Sequence, residues 1–213
     1  GEVPKEVREL TAQSKTYFRN QLSEFVYYST YSKWLPEKNR REAWIETVDR
    51  YISFMRSRLG DKLVAEEYSE VREYMLGMKA LGSMRLLWSA GAAAEESNVA
   101  AYNCAYIAPT KWQDFAEIMY VLMNGTGMGF SVEHQTVELL PIIKRQSGDK
   151  AVRFVIPDSR EGWADALAHG FETWSSGHDV EFDYSKIRPA GARLKTMGGR
   201  ASGPDPLRNL LDF

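Results

Sequence analysis

Cys104 is the strongest candidate in the chain for a nucleophile or a reductant, and it is the only cysteine. A lone cysteine is more often a small apolar residue of a protein core than a reactive thiol. A single cysteine excludes an internal disulfide and is typical of a reducing compartment, so we expect a cytoplasmic protein. Cys104 by itself therefore leaves the reactive and the structural interpretation open.

Other residue types that carry common enzyme chemistry lack the necessary spacing. The histidines His134, His169 and His178 are not accompanied by a cysteine or carboxylate cluster, so we predict no metal site. The sequence also has no Gly-x-Ser-x-Gly elbow and no Walker phosphate loop. Serine-hydrolase and P-loop chemistry are therefore not predicted.

Two glycine-rich segments could bring the backbone close to a ligand. Gly125–Gly129 joins a predicted helix to a predicted strand, the reverse of the dinucleotide-binding order, but its glycines would allow close approach. Residues 197–204 precede a predicted helix, where free amides suit an anion and Arg200 and Ser202 could assist. Each segment taken singly is also typical of an ordinary turn.

The elements that would position these residues change in character near residue 98. Before it, apolar residues recur at helical spacing, which predicts helices with one buried face. The second of these helices should end at Gly82. The two stripes are Trp44, Val48, Tyr51, Met55 and Val64, Tyr68, Val71, Met75, Met78.

After residue 98 the pattern alternates between strands and helices, which predicts an α/β arrangement. Capping-box patterns at Thr110/Gln113 and Asp158/Glu161 predict the starts of two helices. The predicted strands are Tyr102–Ile107, Gly129–Val132, Val152–Ile156 and Val180–Tyr184.

A last helix should begin at Asp205-Pro206, a favourable N-cap followed by proline at the first helical position. It carries Leu207, Leu210 and Leu211 about two turns before the final residue. We expect this leucine face to be exposed, because no later sequence is available to cover it.

Composition excludes several classes of protein. The 213 residues have a net charge of −2 and 44% hydrophobic residues, which is ordinary for a globular protein and gives no basic excess for nucleic acid. No apolar run approaches the roughly 20 residues that span a bilayer. We therefore predict neither a nucleic-acid partner nor a membrane segment.

Five segments in order share a likeness to one family. They are FVYYSTYSKWLPEKNRREAWIETVDRY within Ser23–Tyr51, then Asn103-Cys104, GTGMGFSVE at Gly125–Glu133, DSREGW at Asp158–Trp163 and DYSKIRPAGARLKTMGGRASGPDPL at Asp183–Leu207. Together they resemble the N-terminal portion of monomeric, adenosylcobalamin-dependent ribonucleoside-triphosphate reductases. The likeness extends over nearly the whole chain.

The resemblance implies an α/β fold with an N-terminal helical segment, residues 1–98, and the first half of a ten-stranded ribonucleotide reductase α/β barrel, residues 99–213. The stretch at about 137–183 would match the insertion that builds an effector-binding surface in monomeric members. These boundaries are expectations from the family.

The resemblance also implies radical chemistry. In this family a cobalamin-derived radical produces a thiyl radical that removes the ribose 3′ hydrogen, and a pair of cysteines then reduces the 2′ position and ends as a disulfide. Cys104 matches the first cysteine of that pair. The implied small molecules are adenosylcobalamin, held mainly by the remainder of the enzyme, and an external dithiol reductant such as thioredoxin.

The same matching implies the residues around the substrate. Thr126 and Gly127 would line the pocket through their backbone, next to Asn103 beside the cysteine. The residues with a looser match are Ser83 and Arg85 near the substrate phosphates, and Gly199, Arg200 and Ser202 near the substrate and effector loops.

The chain departs from the family pattern in its cysteines. It lacks the radical-bearing cysteine, the second reducing cysteine and the Asn-x-Cys-x-Glu segment. We therefore expect a split or truncated reductase, inactive alone, whose second polypeptide completes the barrel around a ribonucleoside triphosphate substrate and a deoxynucleotide effector. Two alternatives stay open: a degenerate, non-catalytic nucleotide-binding module, and an experimental fragment of the full enzyme.

Overall fold

A computed structural model describes residues 3–213, which divide into two units. The first unit ends at Ala101 and is mainly helical, and the second spans Tyr102–Phe213 and alternates strands with helices. In the described part of the chain, no helix has both the length and the apolar character that a membrane span requires.

The first unit consists of helices and one short hairpin. The elements are α1 Lys5–Lys15, α2 Gln21–Val26 with a π-helical continuation Tyr27–Tyr31, β1 Trp34–Leu35, β2 Arg40–Arg41, α3 Trp44–Leu59, α4 Ala65–Leu76, α5 Met84–Ser89 and α6 Ala92–Glu96, with short 3₁₀ turns at Pro36–Lys38, Gly60–Lys62 and Asn98–Ala101. Strands β1 and β2 are antiparallel.

The centre of this unit is the predicted apolar face of α3. Trp44, Val48 and Tyr51 are buried, which confirms the first stripe. The ring of Tyr27 meets the Trp44 ring edge-on at 5.4 Å between centroids, and the indole N–H of Trp44 donates to the carbonyl of Leu76 at 3.0 Å. Aromatic packing therefore joins α3 to both the π-helical turn and α4.

The second stripe is only partly confirmed. Tyr68 and Met75 are buried, whereas Val64 and Val71 are exposed. Helix α4 ends at Leu76 rather than near Gly82, because the chain turns at Met78, whose φ is +53°. Gly82 is instead a position of close approach, where an added Cβ would collide with the Tyr51 hydroxyl.

Glu46 fixes the start of α3. One of its carboxylate oxygens accepts from the Ala43 amide at 2.8 Å, and both accept from the Arg40 guanidinium at 2.7 and 2.8 Å. These bonds favour the ionised form. The hydrogen bond from Arg40 is the largest cause that lowers the pKa of Glu46 to about 2.

We expect Glu46→Gln to lower the free energy of unfolding at pH 7 by about 1.5–3 kcal/mol, the range for hydrogen bonds to charged groups. Because the folded pKa lies below that of an unfolded glutamate, about 4.3, the contribution is full above that value and is lost as the pH falls towards 2. Urea unfolding between pH 3 and pH 7 should show a weaker acid dependence in the variant. Glu9→Gln, at an exposed carboxylate, is the control. Equal acid dependence of Glu46→Gln and the wild type would contradict this role.

The second unit consists of two strand–helix–strand repeats and shorter helices. The elements are β3 Cys104–Ile107, α7 Trp112–Met123, β4 Gly127–Phe130, α8 His134–Val137, β5 Val152–Val155, α9 Arg160–Ser175, β6 Val180–Asp183 and α10 Asp205–Leu211. Strand β3 pairs with β4 and β5 pairs with β6, both in parallel, so α7 and α9 are crossover helices. The predicted alternation of strands and helices is confirmed.

Both predicted capping boxes are wrong in their residues. Helix α7 is capped by Asp114, which accepts from the amides of Thr110 and Lys111 at 2.8 and 3.1 Å, and not by Gln113. The N-cap of α9 is Ser159, which accepts from the Gly162 amide. Asp158 is unavailable because its carboxylate binds Arg188 from a distant part of the chain.

The expectation of an exposed leucine face on α10 is also wrong. Leu207 and Leu211 are only 1% and 6% exposed, and they pack in a cluster with Ile156, Leu167 and Ile187. Helix α10 folds back onto its own unit, and earlier residues cover its apolar face. Of the three leucines, Leu210 alone is exposed.

Candidate functional site

Strand pairing places Cys104 beside the first glycine-rich segment. Cys104 lies opposite Gly127 in the register of β3 and β4, and the Gly127 amide donates to the Asn103 carbonyl at 2.8 Å. The buried Thr126 side chain donates to the Tyr102 carbonyl at 2.8 Å. The structure therefore brings together four predicted site residues, Asn103, Cys104, Thr126 and Gly127.

Packing within the protein does not require the glycine opposite the thiol. A Cβ added at Gly127 would meet only the Asn103 carbonyl, at an ordinary contact distance of 3.5 Å. The missing side chain leaves free surface next to Cys104, where a ligand could contact the main chain. Gly125 has a different role, because its φ of +84° allows the turn between α7 and β4.

Cys104 is exposed, contrary to the usual burial of an unpaired cysteine. Tyr106, on the same face of β3, is exposed as well, and so is Phe130 on the opposite face of β4. Among residues 3–213, β3 and β4 hydrogen-bond only with each other as strands. The thiol therefore lies on an exposed strand surface and is not buried in a hydrophobic core.

The second glycine-rich segment forms a hairpin. Arg193 and Arg200 make an antiparallel bridge, and Leu194 donates its amide to the Gly199 carbonyl at 3.0 Å. The Arg200 guanidinium donates to the Gly191 carbonyl, and the Ser202 hydroxyl donates to the Gly203 carbonyl. The hairpin therefore holds both side chains by its own carbonyls.

The start of α10 does not favour an anion. Pro206 has no amide hydrogen, and the Asp205 carboxylate lies in the first turn, where it binds Arg208 at 2.9 Å. An anion there would meet a negative charge and fewer donors than the sequence suggested. The assignment of Gly199, Arg200 and Ser202 to ligand binding stays a prediction.

Ser83 and Arg85 lie at the start of α5 in the first unit. The Ser83 hydroxyl is the N-cap and accepts from the Leu86 amide at 3.4 Å. The Arg85 guanidinium is 5.5 Å from the centre of the Trp88 ring, and its buried Nε has no hydrogen-bond partner among the described residues. Arg85 therefore has one buried donor that no described residue satisfies.

Lys33 is a second cation beside Trp88, and no pattern in the sequence identified it. Its Nζ is 3.8 Å from the centre of the Trp88 ring, so the two cations share one aromatic side chain. Burial, and next the neighbouring Arg50, lower the pKa of Lys33 to about 8. No spacing rule signals Lys33, because it meets Trp88 only through the tertiary fold.

A buried ion pair holds this part of the first unit. Glu42 is 2% exposed and accepts from Arg50 at 2.7 Å and from the Thr47 hydroxyl at 2.7 Å. The same Arg50 donates to the carbonyls of Leu87 and Ala90 at the end of α5. Glu42 therefore positions α5, and with it Ser83 and Arg85, through Arg50.

Comparisons with known proteins agree across the chain. Residues 5–92 match the family model "Ribonucleotide reductase alpha domain" and residues 131–212 match "B12-dependent ribonucleotide reductase, insertion domain". An adenosylcobalamin-dependent ribonucleoside-triphosphate reductase of Euglena gracilis is 32% identical over 97% of this chain and 31% of its own length. A putative enzyme of the same name from Mycobacterium phage D29 is 31% identical over 88% of this chain and 32% of its own length.

A solved structure supports the same relationship. The crystal structure of a B12-dependent, class II ribonucleotide reductase matches 96% of this chain and 38% of its own chain, with 26% identity and a TM-score of 0.72. This chain belongs to the adenosylcobalamin-dependent, class II ribonucleotide reductase family and corresponds to the N-terminal part of its members. It spans about a third of the length of the relatives that it matches.

The comparisons confirm the resemblance and the predicted fold class, the N-terminal portion of a class II reductase. The domain boundaries near residue 98 and at 137–183 stay predictions, as do the roles of the individual site residues. The insertion-domain match, at 131–212, is longer than the predicted insertion.

Proposed function

We propose that the chain is the N-terminal component of a ribonucleotide reductase that converts ribonucleotides to deoxyribonucleotides by radical chemistry. The observation that carries this proposal is the exposed thiol of Cys104 opposite Gly127 on paired parallel strands. The relatives are named adenosylcobalamin-dependent ribonucleoside-triphosphate reductases, so we propose ribonucleoside triphosphates as substrates.

Cys104 would act as one of two reducing thiols. Two thiols supply two electrons and two protons, the ribose 2′ C–O bond breaks, water leaves, a hydrogen takes its place, and the thiols end as a disulfide. Cys104 is the only cysteine of the 213 residues, so the second thiol lies outside them, and we propose that a second polypeptide carries it. An external dithiol such as thioredoxin would then reduce the disulfide for the next cycle.

The neighbours of Cys104 would position the nucleotide. Main-chain atoms of Asn103, Thr126 and Gly127 lie beside the thiol, where a sugar could contact the backbone. In the first unit, taken by itself, we propose that Ser83 and Arg85 bind a phosphate group, supported by the unpartnered Nε of Arg85 and the nearby charge of Lys33.

A second polypeptide would complete the barrel. Support comes from the exposed residues of β3 and β4, Cys104 and Tyr106 on one face and Phe130 on the other, and from the relatives, which are about three times as long. In this proposal the assembled protein acts in the cytoplasm and binds a deoxynucleotide effector at the insertion region.

The described residues do not fit a cobalt site. His134 pairs with Glu138, His178 contacts Ser147, and His169 stacks on Phe154. None of these rings is presented as a ligand in an open pocket, and we propose that the second polypeptide supplies most of the contacts to adenosylcobalamin.

Reconstitution tests the proposal. The chain is mixed with a polypeptide that carries the remaining barrel strands and the Asn-x-Cys-x-Glu segment, together with adenosylcobalamin, a ribonucleoside triphosphate and a dithiol. We expect deoxynucleotide from the mixture and none from either polypeptide alone. Nucleotide binding without product from any mixture would contradict the proposal and support a non-catalytic nucleotide-binding module.

A further inference from the structure

We propose that Arg160 and Asn124 are positioning residues that hold the Gly125–Gly127 loop against the strand of Cys104. Asn124 ends α7, immediately before the loop, and is 0% exposed. Its Nδ2 donates to the Tyr120 carbonyl at 2.8 Å, and its Oδ1 accepts from the Arg160 guanidinium at 2.8 Å. Both ends of this buried amide are therefore bonded.

The arginine comes from a different part of the chain. Arg160 is the first residue of α9 and lies within the residues that match the insertion-domain model, whereas Asn124 lies outside that match. A second contact joins the same helix ends, since the Tyr120 hydroxyl donates to the Glu161 carboxylate at 3.2 Å. The insertion region thus contacts the end of α7 from which the loop begins.

Packing supports these polar contacts without replacing them. Helices α7 and α9 meet through the buried small residues Ala116, Ala164 and Ala168. Alanine contacts bring the two helices close, but they do not fix the position of the Gly125–Gly127 loop. The hydrogen bond from Arg160 to Asn124 fixes the residue from which the loop begins, because hydrogen bonds require a specific distance and angle.

A continuous series of bonds leads from this pair to the thiol. After Asn124, the Thr126 amide donates to the Val121 carbonyl at 3.3 Å and its hydroxyl donates to the Tyr102 carbonyl. The Gly127 amide then donates to the Asn103 carbonyl, next to Cys104. A shift of the loop would therefore change the surface that faces the thiol, and displacements of about 1 Å can cost about 10²-fold in rate.

Native-state amide hydrogen exchange of the full chain tests the pairing. In Arg160→Ala we expect the Gly127 amide to exchange at least about tenfold faster, because a buried amide oxygen loses its charged donor. Amides of β6 should keep their rates. Arg188→Ala is the matched control, since it removes another arginine bonded near the start of α9, at Asp158, without contacting Asn124.

Two further measurements separate a local role from general stability. If Arg160→Ala loses protection from exchange throughout the second unit, the exchange of Arg160→Gln is measured in the same way. A loss of protection in Arg160→Gln that is confined to the amides of Gly127 and Thr126 supports the proposal. A fluorinated label on Cys104, the only thiol, should change its NMR shift in the Arg160 variants and not in Arg188→Ala. Unchanged exchange and an unchanged label signal would overturn the proposal.

The catalytic consequence of this pair rests on the proposed function, but the exchange test does not. Faster exchange in a chain that is inactive in every mixture would support the positioning pair and count against the reductase. Unchanged exchange in a chain that is active after reconstitution would overturn the pair alone. In an active mixture, Arg160→Ala should lower kcat at least about tenfold, and Arg188→Ala should not.

Discussion

Cys104→Ser is expected to lower deoxynucleotide formation by the reconstituted protein at least about 10³-fold, the scale on which enzymes lose activity when a reacting group is removed. A serine hydroxyl has the size of the thiol but cannot end as half of a disulfide, so the two electrons have no source at this position. The measurement is chromatographic separation of deoxynucleotide from ribonucleotide, with a dithiol present.

Ala105→Ser is the matched control for this prediction. It adds a hydroxyl at the next residue of the same exposed strand, and Ala105 has no assigned role in the site. We expect the control to keep near-normal activity. Product formation by Cys104→Ser at the wild-type rate would contradict the role assigned to the thiol.

The second large effect is expected in the first unit, at Glu42. Glu42→Ala should lower the free energy of unfolding by about 3–5 kcal/mol, the cost of removing one partner of a buried ion pair. The loss leaves the Arg50 charge without its carboxylate and removes the carboxylate that accepts from the Thr47 hydroxyl. Since small domains are stable by about 5–15 kcal/mol, the variant would be close to its unfolding limit.

Urea unfolding and amide exchange of α3 measure this effect in the first unit. Glu73→Ala is the control, because Glu73 is an exposed partner of Arg72 and should change stability by less than about 1 kcal/mol. Equal effects of the two substitutions would contradict the importance given to the buried pair. In Glu42→Ala we also expect faster exchange in α5, which Arg50 holds at Leu87 and Ala90.

Features that depend on neighbouring residues could be predicted from the sequence. The helical spacing of Trp44, Val48 and Tyr51 predicted the buried face of α3, because residues three and four apart share one side of a helix. The alternation beyond residue 98 predicted strands joined by helices. Even there the details differed: β4 begins at Gly127 rather than at Gly129, so the glycine itself faces Cys104.

Features that depend on distant residues could not be predicted in this way. The sequence pattern predicted Asp158 as a helix cap, but its carboxylate accepts a hydrogen bond from Arg188, thirty residues away. Leu207 and Leu211 looked uncovered because the pattern of α10 does not show that the helix folds back onto Ile156. The sequence by itself determined the family and the types of the main elements, because ordered motifs identify the family and local periodicity distinguishes helices from strands.

Only the tertiary structure decided which groups are exposed, paired or bonded across the fold. It placed the thiol on an open strand, joined Lys33 and Arg85 at one tryptophan, and connected Arg160 to Asn124. The physical reason is that burial and hydrogen bonding are properties of surroundings contributed by residues far apart in the chain, and no local pattern contains them.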